Sequence, residues 1–301
     1  MTMADLPDLY LIADMAPDLV DALEQRFTVH RTDPPATTRA ICGGGSSVVD
    51  AALIDQLPAL EIIAINGVGY DGIDVAAAKV RGVRVTNTPD VLTDDVADLA
   101  IGLWLAVERR IAANDAAVRD GGWNVPLARQ ASGRTIGIFG LGRIGHAIAR
   151  RAEPFGGEIL YTARSEKPVT WRFVPDITAL AAACDVLILA APGGTGTQRI
   201  VDAAVLAALG SEGVLVNVAR GSLVDQGALV AALETREIGG AGLDVFADEP
   251  AVPEALKTMP NVVLSPHQGS ATVETRAAMA ALVLANLDAH FSGKPLPSAV
   301  V

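Results

Sequence analysis

Thr135-Ile136-Gly137-Ile138-Phe139-Gly140-Leu141-Gly142-Arg143-Ile144-Gly145-His146-Ala147-Ile148-Ala149-Arg150-Arg151-Ala152 carries a short apolar run into a glycine cluster and leaves it as an amphipathic helical pattern. The pattern predicts a strand, a tight turn and a helix. Gly140, Gly142 and Gly145 stand at the G-x-G-x-x-G spacing. The first glycine permits the turn, the second lets backbone approach a pyrophosphate, and the third lets the helix pack closely on the strand. Phosphates would sit on N–H groups at the helix N-terminus. A glycine-rich turn that binds nothing can share this spacing. Here Glu158-Ile159-Leu160-Tyr161-Thr162 supplies the second strand of a βαβ unit, and that context points to a dinucleotide.

Outward from this unit the chain alternates strands and helices in both directions. Before it, apolar runs at Leu9 to Asp14, Phe27 to His30, Ala40 to Cys42, Glu61 to Asn66 and Val83 to Asn87 are separated by helical patterns at Pro17 to Arg26, Val48 to Gln56 and Asp74 to Arg81. Such alternation predicts a parallel sheet of its own. The Gly43-Gly44-Gly45-Ser46-Ser47 loop ahead of the second helix reads either as an anion-binding edge or as a plain connector. A long helix is expected from about Asp94 to Asp120, stopped by Gly121-Gly122, with an apolar stripe at Val96, Leu99, Ala100, Leu103, Trp104 and Val107. After the βαβ unit come strands at Asp185 to Ala190, Gly213 to Val218, Gly239 to Asp244 and Val262 to Ser265, with helices at Ile177 to Ala183, Asp202 to Leu209 and Gln226 to Glu234. A last helix, Thr272 to Phe291, is long enough to return to the first sheet. The expected architecture is therefore α/β with two doubly wound parallel-sheet domains: a discontinuous one from 1–93 and 270–301, and a dinucleotide-binding one from 94–269.

Composition bounds the partners. Half of the 301 residues are apolar but only 4% are aromatic, so the cores must rest on Ala, Val, Leu and Ile. A formal net charge of −12 argues against a nucleic-acid or anionic-membrane surface, which needs clustered Lys and Arg. Cys42 and Cys184 are far apart, without metal-type spacing; both read as buried apolar residues in a reducing compartment, and no metal is expected. Asp5, Asp8, Asp14 and Asp18 near the N-terminus do not fit a signal peptide. No apolar stretch reaches membrane-spanning length, and the expected location is the cytoplasm.

Ligands of open parallel sheets bind beyond the carboxyl ends of the strands. Arg220 follows the strand ending Val216-Asn217-Val218-Ala219, Glu249 lies just beyond the strand ending at Asp244, and His267 follows Leu264-Ser265-Pro266. A cation, a carboxylate and an imidazole at three strand ends suggest acid–base work beside a nicotinamide. Each alone could close an ion pair, cap a turn or hydrogen-bond in a loop. His30, His146 and His290 lack such company and read as structural.

With these residues the chain resembles the D-isomer-specific 2-hydroxyacid dehydrogenases, most closely the glyoxylate/hydroxypyruvate reductase branch, over almost its whole length. The resemblance is carried by Asn66-Gly67-Val68-Gly69-Tyr70-Asp71, Gly140-Leu141-Gly142-Arg143-Ile144-Gly145, Asn217-Val218-Ala219-Arg220-Gly221, Gly242-Leu243-Asp244-Val245-Phe246 with Asp248-Glu249-Pro250, and Pro266-His267-Gln268-Gly269-Ser270. It implies a Rossmann cofactor domain and a flavodoxin-like substrate domain with the active site in the cleft, and a homodimer whose interface the long helix from Asp94 could supply. It also implies that Arg220 grips the carboxylate and carbonyl of a small 2-keto acid, that His267 donates the proton and that Glu249 supports it. Val68 and Gly69 then match positions that hold the substrate carboxylate. Asp244 matches one that meets the nicotinamide carboxamide, and the cofactor lies along Gly140 to Gly145, Pro192, Thr197, Val218, Ala219, Arg220, His267 and Gly269. The chemistry agrees: hydride delivery to a ketone builds charge on oxygen that Arg220 can stabilise and His267 can neutralise.

Cofactor choice is read at the end of the second strand. NAD-preferring sites carry an acid about 20 residues after the glycines, whereas Ala163 stands there, followed by Arg164, Ser165 and Lys167. That set favours NADP(H), with NAD(H) still possible, because Arg can hold a 2′-phosphate through two charge-assisted hydrogen bonds. The glycine-rich loops at 42–47 and 67–71, with Tyr70 their one aromatic, suggest a small polar substrate such as glyoxylate or hydroxypyruvate. Rival readings are a reductase of aromatic 2-keto acids such as hydroxyphenylpyruvate, and a non-catalytic NAD(P)-sensing regulator.

Overall fold

The computed structural model describes residues 6–301. The chain forms two compact units, 1–92 with 272–301, and 93–271. In the first, β1 (Asp8–Leu11), α1 (Pro17–Glu24), β2 (Thr28–His30), β3 (Ala40–Gly44), α2 (Ala51–Gln56), β4 (Ile62–Asn66), α3 (Val75–Val80) and β5 (Arg84–Thr86) follow in order. The second holds α4 (Thr93–Glu108), α5 (Ile111–Arg119), β6 (Ile136–Phe139), α6 (Arg143–Ala152), β7 (Ile159–Thr162), β8 (Arg172–Phe173), α7 (Ile177–Ala182), β9 (Val186–Leu189), α8 (Ala203–Leu209), β10 (Val214–Asn217), α9 (Gln226–Glu234), β11 (Gly240–Leu243), α10 (Glu254–Thr258) and β12 (Val262–Leu264). The final helix α11 (Val273–Phe291) returns to the first unit and packs on β4 and α1.

Both sheets are parallel, ordered β2-β1-β3-β4-β5 and β12-β11-β10-β9-β6-β7-β8. The chain reverses its direction of growth between β1 and β3 in the first and between β6 and β9 in the second, and the loops beyond those strand ends are where such sheets bind ligands. Every residue of β6, β7, β9, β10 and β11 is buried, which is why these strands read as unbroken apolar runs. In the first sheet, alternate residues feed two cores: Leu9 and Leu11 pack with Leu19, Val283 and Leu287, while Ile41, Ile63 and Val85 pack with Ile54 and Ala78. Part of the acidic surplus caps helices. Asp50, Asp74, Asp176, Asp202 and Asp225 each accept a hydrogen bond from a first-turn N–H, a contribution of about 1 kcal/mol per cap.

Three expectations need correction. The long helix is two helices: Arg110 turns into the left-handed region at φ 54°, and the Glu108 carbonyl, which a continuous helix would bond to residue 112, accepts instead from Arg129 N–H at 3.0 Å. The apolar face of α4 packs on α6, β10 and β11 of its own unit, so it is not open to a second subunit, and Leu99 is only half-buried. Finally, Gly43 and Gly44 belong to β3, Ser47 Oγ accepts from Gly44 N–H at 2.9 Å, and the helix begins only at Ala51 behind Asp50; the 43–47 loop therefore does not open a helix N-terminus to an anion. Cys42 and Cys184 are buried free thiols, each pushed up to about 12 by burial. Among the described residues no helix is long and apolar enough to cross a membrane.

Candidate active site

The glycine turn at the head of α6 is built by close approach. Gly140 has φ 101°, and a Cβ there would lie 2.6 Å from the Ala191 backbone beyond β9. At Gly145 a Cβ would lie 2.0 Å from the Gly140 carbonyl. By contrast a Cβ on Gly142 would meet nothing within 4 Å, and among the described residues the N–H groups of Gly142 and Ile144 donate to no acceptor. Open space before unspent donors at a helix N-terminus fits a pyrophosphate. Beyond β9, Thr197 Oγ1 closes the 192–197 loop by donating to the carbonyls of Pro192 (2.9 Å) and Gly194 (3.3 Å).

Arg220, Glu249 and His267 follow β10, β11 and β12, three neighbouring strands in one sheet. His267 Nδ1 donates to Glu249 Oε2 at 2.7 Å, which fixes the ring and leaves Nε2 for proton transfer. The other oxygen of Glu249 accepts from Phe246 N–H at 3.0 Å. Burial alone would raise this carboxyl, but those hydrogen bonds and the positive charges of His267 and Arg220 outweigh it and hold Glu249 below the usual glutamate value. A depressed folded-state value means that its stabilising effect is complete above the ordinary value of about 4.5 and is lost as pH falls through the folded one. The melting-temperature gap between the unmodified protein and Glu249→Gln should therefore be steady near neutrality and narrow on acidification; a gap that widens in acid would contradict the assignment.

Arg220 is held at the strand end by its neighbours. Buried Asn217 accepts from Ala219 N–H at 3.0 Å and donates to the Arg220 carbonyl at 2.9 Å, while Arg220 Nη1 donates to the Ala219 carbonyl at 2.7 Å. Asp244 is buried, and its carboxylate accepts from Ser265 Oγ (2.6 Å), Gln268 N–H (2.7 Å) and Gly269 N–H (2.9 Å). Its carbonyl takes His267 N–H at 2.8 Å. Asp244 therefore shapes the whole loop that presents His267. Asn217, inside a quoted motif, and Ser265, just ahead of another, hold these turns in place, and motif spacing alone does not single them out.

In the first unit, Val68 and Gly69 follow β4, and among the described residues their N–H groups donate to no acceptor. The Val68 carbonyl accepts from Asn87 Nδ2 at 2.9 Å, and a Cβ on Gly67 would lie 2.9 Å from Gly45, so this turn is tightly fixed. Arg164, Ser165 and Lys167 stand exposed in the loop between β7 and β8, together with Glu166. His30 and His290 pair with Asp8 (2.7 Å) and Glu61 (3.0 Å), and His146 lies against Trp171. A cavity of about 220 Å³ with a mostly apolar lining, including Phe246, Pro250, Val252 and Leu264, adjoins Glu249 and His267.

Known proteins resemble this chain over nearly its whole length. Residues 101–269 match the model for the D-isomer specific 2-hydroxyacid dehydrogenase NAD binding domain. Glyoxylate/hydroxypyruvate reductase A of Arabidopsis thaliana and hydroxyphenylpyruvate reductase of Plectranthus scutellarioides are each 49% identical over 97% of this chain and 98% of their own. Among solved structures, an NADPH-dependent glyoxylate/hydroxypyruvate reductase of Sinorhizobium meliloti in complex with NADP and malonate superposes with a TM-score of 0.93 at 44% identity, covering 98% of this chain and 97% of that one. The chain belongs to the D-isomer-specific 2-hydroxyacid dehydrogenase family, in the branch of the glyoxylate/hydroxypyruvate reductases.

Proposed function

We propose that the protein reduces small 2-keto acids, glyoxylate and hydroxypyruvate, to D-2-hydroxy acids with NADPH. The observation that carries this reading is the placement of Arg220, Glu249 and His267 on three neighbouring strand ends of the sheet that bears the glycine turn. The N–H groups at the head of α6 would hold the pyrophosphate and Arg164, Ser165 and Lys167 the 2′-phosphate; the nicotinamide, when bound, supplies the hydride. Arg220 binds the keto acid and stabilises charge gathering on its carbonyl oxygen. His267 Nε2 delivers a proton to that oxygen, and Glu249 keeps the ring oriented throughout. Val68 and Gly69 N–H groups are further donors for the substrate carboxylate.

A panel of 2-keto acids assayed with both reduced cofactors tests the reading. Expected are higher kcat/KM for glyoxylate and hydroxypyruvate than for phenylpyruvate, and at least about tenfold preference for NADPH, which needs roughly 1.4 kcal/mol of differential transition-state binding. Arg164→Ala should weaken NADPH and spare NADH. The reverse substrate order would favour a second reading, reduction of aromatic 2-keto acids, to which the apolar cavity beside His267 lends support. We also place a homodimer interface on α5 and the segment after it, where Ile111, Val118, Trp123 and Leu127 are exposed; a monomer mass in sedimentation equilibrium would refute it.

A further inference from the structure

Tyr161 is completely buried in β7, yet its hydroxyl reaches the chain beyond the strand. It accepts from Lys167 N–H at 2.7 Å and donates to the Lys167 carbonyl at 3.3 Å. Both backbone polar groups of one loop residue therefore close on a single side-chain atom. The same carbonyl takes Val169 N–H at 2.8 Å, so the turn at 167–169 is built on this contact. The Tyr161 ring packs on Phe173 of β8 with centroids 5.4 Å apart. At the far end of the loop, Trp171 Nε1 donates to Glu153 Oε1 at 2.9 Å, and its ring meets His146 of α6 at 4.9 Å. The span from Ala163 to Glu166 is thus fixed at Thr162 by the sheet and at Lys167 by the tyrosine.

Arginine and lysine side chains lose rotamer freedom when they bind a phosphate, and an unfixed backbone would add its own entropy to that cost. A loop already held in shape avoids the second part. We infer that Tyr161 is a positioning residue for recognition of a 2′-phosphomonoester: its hydroxyl holds the backbone that carries Arg164, Ser165 and Lys167 in the shape that receives the phosphate. This rests on the NADPH reading above. It assigns a part of cofactor selectivity to a buried core residue that does not touch the cofactor.

Tyr161→Phe keeps the ring and its contact with Phe173 while removing the hydroxyl. Binding of 2′,5′-ADP by titration calorimetry should weaken about fivefold, the size of one net hydrogen bond, while 5′-AMP binds as before. In turnover, KM for NADPH should rise by a similar factor with kcat and the NADH constants unchanged. Equal weakening of 2′,5′-ADP and 5′-AMP, or no change in either, would overturn the inference. Arg164→Ala separates it from the reading beneath: if that variant loses 2′,5′-ADP selectively while Tyr161→Phe does not, the tyrosine clamp fails and the NADPH reading stands. If Arg164→Ala affects neither probe selectively, the reading and the clamp fail together. Hydrogen exchange on the unmodified enzyme adds a measurement that needs no folded variant. The Lys167 amide should be protected before any cofactor is added, and rapid exchange there would also overturn the clamp.

Discussion

Replacing Arg220 with alanine should lower kcat/KM for keto-acid reduction by about three orders of magnitude or more, with NADPH affinity nearly unchanged. Loss of a preorganised donor to a developing oxyanion costs about 10²–10³ in rate by itself. The guanidinium would also lose its charge-assisted bonds to the substrate carboxylate, so KM rises as well. The turn that presents it survives, because Asn217 holds the Ala219 N–H and the Arg220 carbonyl, both backbone groups. Arg220→Lys should recover little, since an ammonium cannot span carboxylate and carbonyl with a planar fork. Comparable loss of NADPH binding, measured by cofactor fluorescence, would instead assign Arg220 a structural role.

How much of this was readable from the residues differs by element. Strands buried on both faces announce themselves as apolar runs, and the glycine turn announces itself because Gly140 and Gly145 stand where any Cβ would strike backbone. The break at Arg110 carries no such mark: neither Gly nor Pro stands there, and a carbonyl captured by Arg129 from a distant loop decides it. β8 is only two residues in a polar stretch, so no periodicity reveals it, nor the loop before it whose Lys167 backbone closes on the Tyr161 hydroxyl. Asp244 could be assigned to a motif, but its hydrogen bonds to Ser265, Gln268 and Gly269 join strand ends more than twenty residues apart. Motif spacing locates groups that do chemistry. It does not show which neighbours orient them.

His267 brings the same distinction to an experiment. It sits at φ 55°, in the left-handed region that Asn and His tolerate better than most residues. Asparagine is therefore the more informative replacement, because alanine would add backbone strain to the loss of the imidazole. His267→Asn should lower kcat by about 10²–10⁴, the range for removing a positioned general acid, with the melting temperature falling no further than in Glu249→Gln, which breaks the same pair. The loop should hold, since Asp244 bonds to the His267, Gln268 and Gly269 N–H groups and not to the imidazole. NADPH affinity should likewise persist, because the glycine turn and the β7 to β8 loop lie elsewhere in the sheet. If His267→Asn keeps more than about a tenth of the original kcat, proton delivery by this side chain cannot supply the acid–base contribution, and the proton must come from another group or from water. If instead turnover collapses together with stability, while Asp244→Asn shows the same pair of losses, the residue serves the loop and not the reaction.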